Sequence, residues 1–409
     1  MALAAARAKQ IAWIFRIGLG VAVLGYGLYI AEPGAPRLMI FGLTLFALPL
    51  LFQFSPWPLA RAYALWFGAF LVLQGVMTPV LLGDSAYLVL HRPNLASTVT
   101  ITEGVLPGIA GPQRITTDER GFRVTPPVDY AHKSGVRIFA IGASTTEGIL
   151  IDDEATWTHH LQVALAKDLG RRVEVINTGI AGLRTRHHLA TLKDILPLQP
   201  DIVLFLVGAN DWIFDIYSQF GGNQAADRRM LFPDTLLGRV ARGQFNRISN
   251  PPEPAVWNST VTVETFPRGT LGRAEKISWF PETASEQYRA NLLRISDICR
   301  ANRLTCVFLT QPNAYQNDAP QDLRDLFWLT PPNASYTLTF ESLVRVAQVY
   351  NRALIDFAKQ HGHPVCDLVP QIAPTTENFW NEIHYTLTGA GRVAELVTEC
   401  VKPLVAAIP

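Results

Sequence analysis

Three long apolar runs fill the start of the chain: Ile11–Ala31, broken only by Arg16, then Leu38–Phe54, then Ala62–Leu82. Runs of this length and so poor in charge suit a bilayer better than a soluble helical hairpin, so residues 1–83 read as a block of three transmembrane helices. Trp13, Tyr26, Tyr29, Trp57 and Trp66 stand towards the ends of the runs, where amphipathic rings favour the headgroup region. Residues 84–134 mix Pro, Gly, Thr and short apolar pieces and read as a connector with a strand or two.

From residue 135 the pattern changes. Short β-branched runs, VRIFAIG (136–142), VEVIN (173–177), DIVLFLVG (201–208), TCVFLTQP (305–312) and PVCDL (364–368), alternate with segments of helical period. The helices are expected near 156–168, 185–196, 284–301, 340–360 and 387–402, with Thr283 and Glu286 opening the third as a capping box. Strand–helix alternation, with strands that read as buried on both faces, predicts a doubly wound parallel sheet, whose ligands sit beyond the carboxyl ends of the strands. Residues 212–282, rich in Gly, Pro, Phe and Arg, break the rhythm and read as an insertion in the 135–409 domain.

Charge adds orientation and excludes one partner class. Arg7, Lys9 and Arg16 flank the first run and Arg61 the second connection, which places the N-terminus in the cytoplasm and everything after Leu82 on the extracytoplasmic side. The first run is long for a signal peptide and no small-residue cleavage site follows, so the block is expected to stay as an anchor. With 35 Lys+Arg against 34 Asp+Glu, no basic field exists for nucleic acid. All four cysteines, Cys299, Cys306, Cys366 and Cys400, fall in the exported part; their spacing lacks a zinc pattern and leaves disulfides or buried thiols open.

The chemistry gathers at strand ends. The first strand runs into Gly142-Ala143-Ser144, where a serine on a tight turn opening a helix becomes accessible to a substrate; alone, it reads equally well as a helix cap. The second ends near Gly182 and the third at Asn210, so a backbone N–H and a side-chain amide join the Ser144 N–H on one rim as candidate oxyanion donors. His384, just before the last helix, is the candidate general base. His159-His160, His187-His188 and His361/His363 lack convergent carboxylates or cysteines and read as surface or packing residues.

Ser144, Gly182, Asn210 and His384, in that order, resemble the four blocks of the SGNH or GDSL-like hydrolase superfamily, and Thr117–Arg123 resembles the lead-in of its bacterial membrane-associated members. The resemblance implies a flavodoxin-like three-layer α/β/α sandwich with a five-stranded parallel sheet, no cofactor or metal, and hydrolysis or transfer of an acyl ester of a lipid or saccharide through a serine nucleophile. Taken with the charge bias, the resemblance to bacterial members gives the bacterial cytoplasmic membrane, with the catalytic domain periplasmic; three spans are too few for an acyl donor exporter, so acyl transfer would need a soluble donor or a separate membrane protein partner. Two positions depart from the family. Ala143 replaces the Asp of the GDS signature, and Asn381 stands where the triad Asp is usual. An amide is expected to fix the imidazole tautomer poorly and to balance no charge, leaving the histidine increasingly protonated in acid. Asn381 therefore supports a rival reading, a non-catalytic binding or assembly subunit, which the intact Ser, Gly, Asn and His oppose.

Overall fold

The computed structural model describes residues 88–220, 255–262, 275–327 and 336–408. The three apolar runs and most of the insertion lie outside them; among the described residues no helix is long and apolar enough to cross a membrane. All of the described residues belong to one compact unit, Leu88–Gly222 with Glu253–Pro409.

In chain order this unit carries β1 (Leu95–Leu106), β2 (Ile109–Thr116), β3 (Val136–Gly142), α1 (Ser144–Glu147), α2 (Trp157–Leu169), β4 (Val173–Asn177), α3 (Thr185–Ile195), β5 (Ile202–Leu206) and α4 (Ala209–Phe220). There follow β6 (Ala255–Val261), β7 (Glu275–Ile277), α5 (Glu286–Ala301), β8 (Thr305–Leu309), β9 (Tyr336–Leu338), α6 (Phe340–Gln360), β10 (Val365–Cys366) and α7 (Leu387–Ala406). The central sheet is parallel, with order β10-β8-β5-β3-β4 and a two-residue edge strand in β10. Every residue of β3, β4 and β5 is buried, which is why these strands read as mainly apolar runs.

The order fixes the layers. The crossover from β3 to β4 moves one way across the sheet, and those from β4 to β5, β5 to β8 and β8 to β10 move the other way. Right-handed crossovers therefore put α2 on one face and α3, α5 and α6 on the opposite one. Contacts agree: α2 packs on α7, and α3 on α5. Arg137 is the exception inside β3, fully buried, and its charge is met by Glu174 of β4 at 2.9 Å with the Leu198 and Asp129 carbonyls at 2.8 Å. Such pairing offsets a desolvation that would otherwise push a charged side chain out of a core strand.

Four features differ from the sequence expectations. The 84–134 stretch holds two strands as expected, the β1–β2 hairpin, but β1 pairs in parallel with β6, so the connector and the insertion share a three-stranded sheet. The piece expected at NSTVTVETF begins earlier, at Ala255, because its partner strand continues there. Residues 209–220 form α4, a helix whose opening Asn-Asp reads locally as a turn and which runs past the border drawn at 212. The cap of α5 is Ser285, whose side chain accepts from the Tyr288 N–H at 3.3 Å, rather than Thr283. Both disulfides form, Cys299–Cys306 between α5 and β8, and Cys366–Cys400 between β10 and α7.

Candidate active site

Ser144 is the first residue of α1, directly past the carboxyl end of β3. The turn demands glycine at 142, since a Cβ there would lie 2.0 Å from Thr146 Oγ1 and 2.7 Å from the Leu206 carbonyl. Four side chains anchor the turn from outside. Trp157 Nε1 donates to the Thr145 carbonyl at 3.1 Å, and Asn177 Nδ2 to that of Thr146 at 2.6 Å. Thr145 Oγ1 donates to Gln311 Oε1 at 3.1 Å, and Gln311 Nε2 donates in turn to the Tyr385 hydroxyl at 3.1 Å. Arg123, 4% exposed, donates from its guanidinium to the carbonyls of Glu147, Gly148 and Ile151 while pairing with Asp153 at 2.8 Å.

His384 arrives on a loop closed by an antiparallel bridge between Phe379 and Tyr385, in which the Trp380 N–H donates to the His384 carbonyl at 3.0 Å. Its Nε2 lies 2.8 Å from Ser144 Oγ and its Nδ1 3.0 Å from Asn381 Oδ1. The orientation of the Asn381 amide is decided by two backbone N–H groups, those of Ile383 at 3.0 Å and His384 at 2.8 Å, which can only donate. The oxygen must face them, so it also faces the imidazole. Nδ1 then carries the hydrogen and Nε2 offers its lone pair to the serine hydroxyl.

This corrects the expectation that the amide fixes the tautomer poorly. Asn381 sets the base-competent tautomer; what it lacks is charge. Its Nδ2 is buried without an acceptor, a defect of about 1–3 kcal/mol. The second expectation, a histidine increasingly protonated in acid, is corrected too, because burial pushes the His384 imidazole down to about 3.

Gly182 and Asn210 sit beyond β4 and β5, the two strands that flank β3 in the sheet. Gly182 adopts φ +78°, a left-handed conformation that only glycine enters without strain, as the chain turns towards α3. Asn210 Nδ2 donates one hydrogen to the Leu183 carbonyl at 2.9 Å, which ties the amide to the loop bearing Gly182 and leaves its second hydrogen for another acceptor. Asp211 holds the same loop from below: its carboxylate accepts from Thr185 Oγ1 at 2.7 Å and from the Thr185 N–H at 3.1 Å, at the N-terminus of α3. Desolvation pushes that carboxyl up to about 7. The structure thus joins Ser144, His384 and Asn381 by direct hydrogen bonds and brings Gly182 and Asn210 to each other on the same rim.

The profile of the GDSL-like Lipase/Acylhydrolase family matches residues 140–392, a span containing all five of these residues. The chain belongs to that family. Its members act on ester bonds, and this chain is a hydrolase of that type. Among solved structures it is similar to a lipase/acylhydrolase from Enterococcus faecalis, at 18% identity over 66% of this chain and 96% of that one, with a TM-score of 0.37. It is also similar to a GDSL-like lipase from Bacteroides thetaiotaomicron, at 14% over 67% and 92%, TM-score 0.33. An acetylxylan esterase from Geobacillus stearothermophilus matches at 12% over 66% and 95%, TM-score 0.36. No curated protein matches the chain.

In this GDSL-like hydrolase three further residues bear on the site without standing out in the sequence. Gln311 follows β8 and links the Ser144 turn to Tyr385, beside His384; its place after a strand was the available signal. Asp211 has no sign of its own beside Asn210. Trp380, 1% exposed, stacks on the His384 ring at 4.7 Å and 10°, and in sequence it is indistinguishable from a core aromatic. The remaining histidines have local roles. His187 Nδ1 accepts from the Arg184 N–H at the start of α3, and His363 Nε2 bonds Ser296 Oγ at 2.8 Å. Among the described residues no group of three or more His, Cys, Asp or Glu is placed to hold a metal ion.

Proposed function

We propose that the protein is a membrane-anchored serine esterase whose catalytic domain lies outside the cytoplasm and acts on an acyl ester of a lipid or envelope saccharide. The observation that carries the chemistry is the Ser144–His384–Asn381 chain of hydrogen bonds, with Nε2 as the acceptor. In this reading Ser144 Oγ attacks the acyl carbonyl as its proton passes to Nε2. The Ser144 and Gly182 N–H groups and the Asn210 amide meet the oxyanion, and the proton then goes to the leaving alkoxide. Water, activated by the same imidazole, releases the acyl group; an alcohol in its place makes the enzyme an acyltransferase. The rival binding-subunit reading rests on Asn381, and a fluorophosphonate probe separates the two. Stoichiometric labelling of the wild-type chain, lost in Ser144→Ala, is the expected result, and an unlabelled wild type removes the esterase.

Location is supported by hydropathy, by the Arg7/Lys9/Arg16 bias, and by two disulfides with no free cysteine among the described residues. Residues 1–83 then form a three-helix anchor with a cytoplasmic N-terminus. Alkaline phosphatase fused after Pro409 should be active in cells. A fusion that is inactive, while green fluorescent protein at the same point fluoresces, overturns the topology.

A further inference from the structure

We propose that the indole of Trp380 stabilises the imidazolium that His384 becomes on taking the Ser144 proton, supplying charge support that the neutral Asn381 does not. The inference rests on the serine esterase reading. When Ser144 Oγ bonds to the acyl carbon, its proton moves to Nε2, the carbonyl oxygen becomes an alkoxide, and the imidazole, still protonated at Nδ1, gains one positive charge. In a triad with Asp the carboxylate meets that charge through Nδ1. Here the atom at that nitrogen is an amide oxygen, which orients the ring and carries no charge.

The indole stands where it can contribute. Trp380 and His384 are bonded neighbours across the bridge that closes the loop, and this places their rings face to face at 4.7 Å and 10°. The face of an aromatic ring carries negative potential, and its attraction for a cation grows as water is excluded. Trp380 is 1% and His384 5% exposed. The same stack offers a neutral imidazole no comparable electrostatic gain, so its contribution appears as the ring becomes charged, which is the condition for raising kcat rather than binding.

Other ionisable groups lie on or near the loop and on α1. Glu382, fully buried, lies against Tyr315, whose hydroxyl burial and that carboxylate hold well above its ordinary value. Tyr385 bonds Gln311, and burial raises its hydroxyl as well. On α1, Glu147 accepts from the Ala181 N–H at 2.6 Å and faces His91 at 3.3 Å.

Site-specific incorporation of mono-, di- and trifluorinated tryptophan at position 380 of the full-length chain tests the proposal. Fluorine withdraws charge from the ring face while keeping its shape, and it leaves Glu382, Tyr315 and Tyr385 in place. We expect kcat for a short aryl ester to fall stepwise, to about tenfold in all, with KM and Tm unchanged. In Asn381→Asp, where the new carboxylate lifts the imidazole into a range the folded protein tolerates, the His384 titration followed by NMR should drop with each fluorine. Values of kcat and of that titration unmoved by fluorination overturn the proposal. The NMR reading needs no turnover, so it stands even where loss of fluorophosphonate labelling has removed the esterase reading itself.

Discussion

Ser144→Ala and His384→Ala each reduce hydrolysis of a short-chain aryl ester to near background, whereas Asn210→Ala retains a measurable rate. The asymmetry follows from what each side chain supplies. Without the serine Oγ no acyl-enzyme forms, and without the imidazole the hydroxyl has no base at 2.8 Å; removing either member of such a pair in a serine protease costs about six orders of magnitude in kcat. Asn210 supplies one of three candidate oxyanion donors, and losing one donor costs on the order of 3 kcal/mol, roughly a hundredfold or more. Measuring kcat and KM for the three variants decides the matter. An Asn210→Ala rate equal to wild type would remove that amide from the oxyanion site, and an unchanged Ser144→Ala rate would remove the mechanism.

Asn381→Asp raises kcat by about ten- to a hundredfold at pH 8, the range set by a charged rather than neutral acceptor on the imidazolium. The substituted carboxylate would occupy the position 3.0 Å from Nδ1 and keep both backbone donors, so the tautomer is unchanged and only the charge is new. The pH dependence runs opposite to the sequence expectation. In the wild type burial holds His384 down to about 3, so the base form persists through the acid range and His384 itself gives kcat/KM no acid limb above about pH 4. A carboxylate favours the charged ring, raises its pKa, and brings an acid limb into view; the gain is largest in alkali and disappears as pH falls through the raised value. Profiles of kcat/KM from pH 4 to 9 for both forms test this. A shifted acid limb without a higher plateau would mean that charge at position 381 does not limit turnover.

These two predictions also mark what the sequence could convey. β3, β4, β5 and β8 were legible because a strand buried on both faces is apolar at most positions, and Ser144, Gly182 and Asn210 because a strand end followed by glycine or a small polar residue is a local pattern. The fate of Asn381 was not legible. An amide at a triad position can present either end to histidine, and only the Ile383 and His384 N–H groups settle which one does. Likewise α4 hid behind Asn210-Asp211, whose turn chemistry masks a helix start, and the pairing of β1 with β6 joins segments too distant for any window of sequence to relate. Trp380 carries no local sign at all, since its significance is a ring placed across a bridge.

Arg123 lies outside the family-matched residues 140–392, yet its guanidinium binds three carbonyls at the exit of the Ser144 turn. The other end is cut as well, because α7 and Cys400, the partner of Cys366, extend beyond residue 392. The residues that match the family and the residues that hold the nucleophile turn and the last helix together are therefore different sets. Excising the former would strand buried carbonyls at one border and split a helix at the other. In this protein part of the segment that precedes the matched residues is structural masonry of the nucleophile turn.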